Sequence, residues 1–205
     1  MMTKIILLAA SYLLGAIPSG YIITKKLKGF DIRDHGSGNP GAANVFRVVG
    51  KWPGVATFVC DALKGAAVVL AAKCLLPGDI YIPMLCGFIA ICAHMWTIFL
   101  KLRGGKGVAT SAGVFGALLP APTALAFLVF AVIVWRTGRI SPGSIAAAVV
   151  LPVASYFIGS NPAPYCVLAA VVGAMVIYKH IPNIKRMLHK EELKFEDGSK
   201  KNEDK

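Results

Sequence analysis

The residues equipped for chemistry fall into three short polar clusters separated by long apolar runs. The first is Gly36-Ser37-Gly38-Asn39-Pro40-Gly41-Ala42-Ala43-Asn44-Val45-Phe46-Arg47. Glycines let successive backbone N–H groups converge on one anion, because positive φ is open to them and no Cβ blocks the approach. Ser37 and Asn39 add short donors, and Arg47 adds a planar fork matched to phosphate oxygens. The competing reading is an ordinary turn-rich loop. The second cluster is Arg103-Gly104-Gly105-Lys106-Gly107-Val108-Ala109-Thr110. It has half the features of a P-loop but is not one. Leu100 stands where the first glycine of G-x-x-x-x-G-K-[ST] belongs, and Gly107 replaces the hydroxyl that would hold Mg²⁺. A lysine at a helix start still makes an anion site; a basic interfacial anchor is the alternative. The third cluster is His180-Ile181-Pro182-Asn183-Ile184-Lys185-Arg186. Its spacing stacks His180 and Asn183 on one helix face, unless Pro182 breaks the helix between them and opens a new one. The bland reading of His180 is an interfacial histidine without a task.

Two charges, Asp61 and Lys64, lie well inside an apolar run. Each costs about 2.5–3.5 kcal/mol at a bilayer centre on insertion scales, so partners are required. Either the two pair with each other or Lys64 lines a cavity and meets an anion. His94 is also intramembrane and reads as a hydrogen-bonded core histidine. Familiar catalytic pairings are absent. Five residues beyond His35, His94, His180 and His189 stand Pro40, Phe99, Lys185 and Lys194, so no His-x-x-x-x-Asp pair exists. Nor is there a G-x-S-x-G elbow, an H-E-x-x-H helix or an acidic metal cluster. Near the glycine clusters the only acidic residues are Asp31 and Asp34. The expectation is chemistry without a metal or cofactor.

The elements that must position these clusters are set by composition. The chain has 205 residues, 56% hydrophobic and 16% charged, with mean hydropathy +0.65. Soluble domains run near 25% charged, which excludes an ordinary globular domain and, more firmly, disorder. Apolar runs occupy 4–24, 53–76, 80–100, 108–119, 122–135, 143–159 and 164–181, predicting an all-α polytopic membrane protein with seven transmembrane helices. Pro77-Gly78-Asp79, Pro120-Ala121-Pro122 and Ser160-Asn161-Pro162 read as tight turns. The runs 108–119 and 122–135 are short of the roughly 20 residues a perpendicular span needs; two short spans are preferred to one re-entrant hairpin because the charges then agree.

That agreement is the strongest topological signal. With seven spans, 19 of the 22 Lys and Arg fall in 25–52, 101–107, 136–142 and the segment from 179 on, and the three opposite turns carry none. The positive-inside rule puts the N-terminus outside and the C-terminus in the cytoplasm. The first run is read as a retained span, not a cleaved signal, since one lysine precedes it and three follow. The net charge of +12 thus reflects cytoplasmic loops, anionic lipid and anionic substrates, with no nucleic-acid partner. Residues 1–181 form the membrane domain, with motif-bearing loops at 25–52, 101–107 and 136–142, and 182–205 a charged cytoplasmic tail. Cys60, Cys74, Cys86, Cys92 and Cys166 are odd in number, lack a C-x-x-C and read as buried small hydrophobes. No internal repeat is evident, against transporters built from repeated halves.

Taken together, Gly-Ser-Gly-Asn-Pro-Gly-Ala-x-Asn-Val-x-Arg, Asp61-Ala62-Leu63-Lys64-Gly65, Gly-Gly-Lys-Gly-Val-Ala-Thr and His-x-x-Asn-Ile-x-Arg resemble the bacterial acyl-phosphate:glycerol-3-phosphate acyltransferase (PlsY) family, from residue 1 to about 196. The pattern departs at Ala43, Ala93, Thr97 and Pro142 and near Lys190, all outside the anion-binding residues. The resemblance implies a seven-span enzyme of the bacterial inner membrane, with its site facing the cytoplasm. It would move a fatty acyl group from acyl phosphate to the 1-hydroxyl of glycerol 3-phosphate, giving lysophosphatidic acid and phosphate. Catalytic roles are implied for Ser37, Arg47, Lys106, His180 and Asn183. Substrate binding is implied for Gly36, Gly38, Asn39, Asn44, Lys64, Gly104, Gly105, Ser144 and Arg186. Its partners would be acyl phosphate, glycerol 3-phosphate and membrane lipid, with the protein working as a monomer. The residue-level reading agrees: two phosphate-bearing substrates need cations and glycine nests, and an acyl chain needs an apolar groove between spans. Acyl phosphate is already activated, so positioning and charge neutralisation could supply most of the rate. The resemblance further implies that the substrate's own phosphate takes the hydroxyl proton. An organic-anion transporter is the rival, disfavoured because its site would lie mid-membrane. A non-enzymatic lipid-binding protein would leave the glycine clusters unexplained.

Overall fold

The computed structural model describes residues 1–159 and 161–194, which form helices and turns without a strand. The apolar run at the N-terminus makes two helices, α1 (Met2–Ala16) and α2 (Ser19–Lys28), where one was expected. Pro18 has no N–H to continue the ladder. The carbonyls released at the break are taken from elsewhere: Thr97 Oγ1 donates to Ala16 O at 2.6 Å, and Lys64 Nζ to Ile17 O at 2.7 Å. The polar stretch that follows contains a 3₁₀ turn at Ile32–Asp34 and a short helix, α3 (Ala42–Val48).

The remaining helices are α4 (Lys51–Leu75), α5 (Tyr81–Met95), α6 (Val108–Leu118), α7 (Pro120–Thr137), α8 (Ile140–Phe157), α9 (Ala163–Lys179) and α10 (Ile181–Leu188). Five segments are long and apolar enough to cross a membrane, α1 and α2 counting as one, and the α9–α10 pair, bent by 55°, makes a sixth. At 11 residues α6 is about 16 Å long, half a bilayer core. Protein covers it instead of lipid. It packs on α4, α5, α7 and α9, and Val114 and Phe115 are fully buried. Gly65 of α4 faces the Thr110 carbonyl and Gly113 of α6 the Ala62 carbonyl with no room for a Cβ, so the two backbones touch.

Several expectations are corrected. Pro120-Ala121-Pro122 is no turn. Pro120 opens α7 and the chain reverses at Leu119 alone, because proline at the first helical position sacrifices only an orphan N–H. The run read as 122–135 is therefore an 18-residue helix. Pro142, expected in the loop 136–142, lies in the first turn of α8, which begins at Ile140. Of the cysteines, only Cys86 is buried; Cys60 and Cys74 are exposed on the bundle surface and all five are free. The Pro77–Asp79 turn is present, with Asp79 Oδ1 accepting from the N–H groups of Tyr81 and Ile82. Of the third expected turn, Ser160 lies outside the described residues, while Asn161 donates to the carbonyls of Ser155 and Ile158. Lys4 pairs with Asp79 at 2.8 Å, placing the N-terminus and the α4–α5 turn at one end of the bundle. The three polar clusters gather at the other.

Candidate active site

One cavity at that end is shared by the three clusters. Ser37, Asn39, Asn44 and Arg47 come from the glycine stretch and α3, and Lys106 from the turn before α6. Ser141 and Ser144 come from α8, and His180 and Asn183 from the α9–α10 junction. A wider opening adjoins it through Ser37, Asn39, Lys106 and Asn183, and adds Gly38, Lys179 and Arg186.

The glycine stretch is shaped from below. Gly36 and Gly38 have φ of +59° and +71°, a region costly to other residues. Asn44 is the staple: its Oδ1 accepts the Ser37 N–H at 2.8 Å, and its Nδ2 donates to the carbonyls of His35 and Ile32 at 2.9 and 3.2 Å. A side chain at Gly36 would strike Asn44 Oδ1. Gly36 and Asn44 thus act on Ser37 while their own polar groups stay within the loop. Arg47, 7% exposed, reaches the cavity wall from the last turn of α3.

The second cluster follows a turn at which Lys101 and Leu102 hold φ of 53° and 63°, uncommon for residues with a Cβ. Bonds from their N–H groups to Ile98 O and Thr97 O fix it. Gly107 caps α6, whose first-turn residues Val108 and Ala109 line the cavity. Its unpaired N–H groups and positive dipole end favour an anion there. Lys106 donates to Asn183 Oδ1. Burial, aided by Arg186, Arg47 and Lys179 and opposed by Glu192, pushes the Lys106 ammonium down to about 8. Neither Gly104 nor Gly105 lines the cavity; both lie against His94, where a Cβ would collide.

In the third cluster Pro182 does open a new helix, and His180 is the junction residue. His180 Nδ1 lies 2.7 Å from Val176 O. A carbonyl can only accept, so this nitrogen carries the hydrogen and Nε2 is left as an acceptor. Asn183, 2% exposed, donates through Nδ2 to Ser141 Oγ and to Glu192 Oε1, each at 2.7 Å. Glu192 also receives Ser141 Oγ, and Arg186 Nε at 3.0 Å. Burial raises its carboxyl, but the donors Ser141, Asn183 and Arg186 outweigh burial and hold it below the usual carboxylate range. Glu192 and Ser141 were not singled out in the sequence. Glu192 sits among the charges beyond residue 181, and no spacing distinguishes it.

Lys64 goes elsewhere. Its ammonium is spent on Asp61 Oδ1 (2.7 Å), Ile17 O (2.7 Å) and His94 Nδ1 (3.1 Å), with Ser19 Oγ on Asp61 Oδ1 at 2.9 Å. The pairing reading applies, and the anion-binding expectation for Lys64 has no donor left to serve it. Ser144 donates to Ile140 O and lies where the polar cavity meets an apolar pocket. The two share Phe58, Val108, Phe130 and Ser144, and the pocket continues between α6, α7, α8 and α9 to Thr123 and Leu151. Among the described residues no group of His, Cys, Asp and Glu is arranged to hold a metal.

The comparisons agree with one another. A family profile described as "Glycerol-3-phosphate acyltransferase" matches residues 5–190. A glycerol-3-phosphate acyltransferase of Syntrophotalea carbinolica is 44% identical over 191 residues, covering 93% of this chain and 96% of that protein. One of Thermosynechococcus vestitus is 46% identical over 189 residues, covering 87% and 88%. Crystal structures of PlsY, an integral membrane glycerol 3-phosphate acyltransferase, superpose with TM-score 0.88 in the glycerol 3-phosphate form (38% identity; 94% of this chain, 95% of that one) and 0.86 in the lysophosphatidic acid form (37% identity; 95% and 96%). A glycine-nested, cation-lined cavity opening onto an apolar pocket, on a helical bundle of this shape and sequence, marks the chain as a member of the glycerol-3-phosphate acyltransferase family.

Proposed function

We propose that this acyltransferase takes its acyl group from acyl phosphate and delivers it to the 1-hydroxyl of glycerol 3-phosphate. The observation that carries the reading is the junction at Ser144, Phe58 and Phe130, where a pocket fit for an alkyl chain meets a cavity lined by Arg47 and Lys106. The chain of the donor lies in the pocket and its phosphate in the cavity. Ser37, Lys106 and the start of α6 face that phosphate, and Arg47 offers a bidentate fork. His180 Nε2 and Asn183 orient glycerol 3-phosphate, with Arg186 at the wider opening. The hydroxyl oxygen attacks the acyl carbon, the ester C–O bond forms and the C–O bond to phosphate breaks. Inorganic phosphate leaves, and the hydroxyl proton passes to a phosphate oxygen. Fixed donors around the developing charge supply the rate. No acyl-enzyme intermediate is formed.

The chain crosses the bacterial inner membrane seven times, α6 being the shortest crossing. The basic end of the bundle, and the site with it, faces the cytoplasm and the N-terminus lies outside. The protein acts as a monomer within the lipid.

Purified protein in detergent, given acyl phosphate and glycerol 3-phosphate, should release phosphate only when both are present, with intersecting lines in two-substrate kinetics. Radiolabelled acyl group trapped on the protein after mixing with acyl phosphate alone would refute direct transfer. For the topology, a single cysteine at Lys51 should label only after the membrane is opened; labelling of intact cells would invert the arrangement.

A further inference from the structure

We propose that His94 is the positioning residue for Lys106, an inference that rests on the role just assigned to that lysine. Gly105 N–H donates to His94 O at 3.1 Å. The Nε2 edge of the His94 ring lies against the Gly105 Cα, and the His94 carbonyl against the Gly104 Cα, each so close that a Cβ would collide. Gly105 is therefore seated on the His94 ring and Gly104 on the His94–Met95 peptide, directly before Lys106. The seat cannot swing away. His94 Nδ1 accepts from Lys64 Nζ at 3.1 Å, and Lys64 is itself tied to Asp61 Oδ1 and Ile17 O, each at 2.7 Å.

A lysine side chain is a flexible stem carrying a point charge, with no geometry of its own to impose. Its placement depends on where its backbone is held. The segment carrying Lys106 is entered through a turn with left-handed φ at Lys101 and Leu102, so surroundings and not local preference set its course. The Asp61–Lys64 pair inside the bundle thereby acquires a function: it orients the ring on which Gly105 rests. With Nδ1 accepting, the hydrogen of the neutral ring is on Nε2, the edge that meets Gly105.

The test is a double-mutant cycle on kcat/KM for radiolabelled glycerol 3-phosphate in the full-length detergent-solubilised protein. His94→Asn keeps an acceptor near the position of Nδ1 for Lys64 and deletes the Nε2 edge. With Lys106 present it should cost about ten- to hundredfold, a loss typical of a misplaced catalytic group, through KM more than kcat. In a Lys106→Ala background it should cost about twofold or less, because what it positions is gone. Thermal unfolding should show both variants folded. Equal losses in the two backgrounds, or none in the first, would overturn the inference. If His94→Asn does not fold, His94→Gln is carried through the same cycle. Failure of both to fold also overturns it, since a residue whose task is one turn leaves the bundle standing. Lys106→Ala with unchanged activity would instead refute the assignment of Lys106 itself.

Discussion

Lys64 is a buried cation and Lys106 a half-buried one, and the structure spends them in opposite ways. Lys64, 5% exposed, gives its ammonium to a carboxylate, a carbonyl and an imidazole, all from the protein. Lys106 gives one hydrogen to Asn183 Oδ1 and otherwise faces two connected cavities. The difference lies in the count of acceptors the fold supplies. A lysine has three hydrogens and no lone pair. Where the protein meets all three, the residue is architecture; where it leaves some to a cavity, the residue awaits an anion. The two histidines divide in the same way, His94 accepting at Nδ1 and His180 donating from it.

Breaking this contrast at Lys64 should produce the largest effect. Lys64→Ala leaves Asp61 buried without its cation, which costs about 3–5 kcal/mol of stability. Thermal unfolding in detergent should show it, and KM of whatever remains folded should rise as well, because His94 loses the donor that orients it beside Gly105. A Lys64→Ala protein of normal stability would refute the architectural role of Lys64. Next come Lys106→Ala and Arg47→Ala, with the opposite signature: unfolding unchanged, and kcat/KM lowered about ten- to hundredfold, the worth of a charge-assisted contact of roughly 1.5–3 kcal/mol. Arg47→Lys should recover little of this, because a point charge does not replace a fork.

A pH profile sharpens the same point. The Lys106 ammonium is lost near pH 8 in the free protein, so kcat/KM for glycerol 3-phosphate should fall as pH rises through about 8. Stability runs the other way. The folded lysine binds its proton more weakly than the unfolded one, so its contribution to stability rises between about pH 8 and the ordinary lysine value near 10.4. Lys106→Arg should remove the break near 8 from the rate profile; a break that stays in that variant belongs to another group. The smallest effect is expected from chelation: with no metal-holding cluster among the described residues, EDTA should leave phosphate release unchanged.

Much of the fold could be read without coordinates, and the errors have physical causes. Hydropathy marks where apolar segments lie but not where a helix breaks inside one, so the N-terminal run reads correctly as one span while the break at Pro18 within it goes unread. Proline reads as a turn former at Pro120 and as a loop residue at Pro142, within the expected loop 136–142. Its effect depends on position in the helix, and in a first turn it costs no hydrogen bond. The short run at 108–119 did form a short helix, α6. Its length is tolerable because neighbouring helices, and not lipid, cover it.

For the site, residue types and spacing singled out Ser37, Arg47, Lys106, His180 and Asn183, because cations and glycine-rich turns are local patterns, and the fold brings all five to one cavity. Five residues required the tertiary structure. Asn44, Gly104 and Gly105 carry sequence signals for ligand contact; what the chain does not show is that Asn44, besides lining the cavity, staples the Ser37 loop by hydrogen bonds, and that the two glycines lie against His94. Glu192 has no signal in the chain, because its role depends on Ser141, Asn183 and Arg186 converging on it from three segments. Lys64 had two readings of equal standing, and only the count of its acceptors chose between them. Sequence by itself determined which groups could bind phosphate and which runs could enter a membrane, since both follow from local chemistry and composition. Tertiary structure decided which donors were left over to do so, because satisfaction of a buried polar group is a property of every segment packed around it.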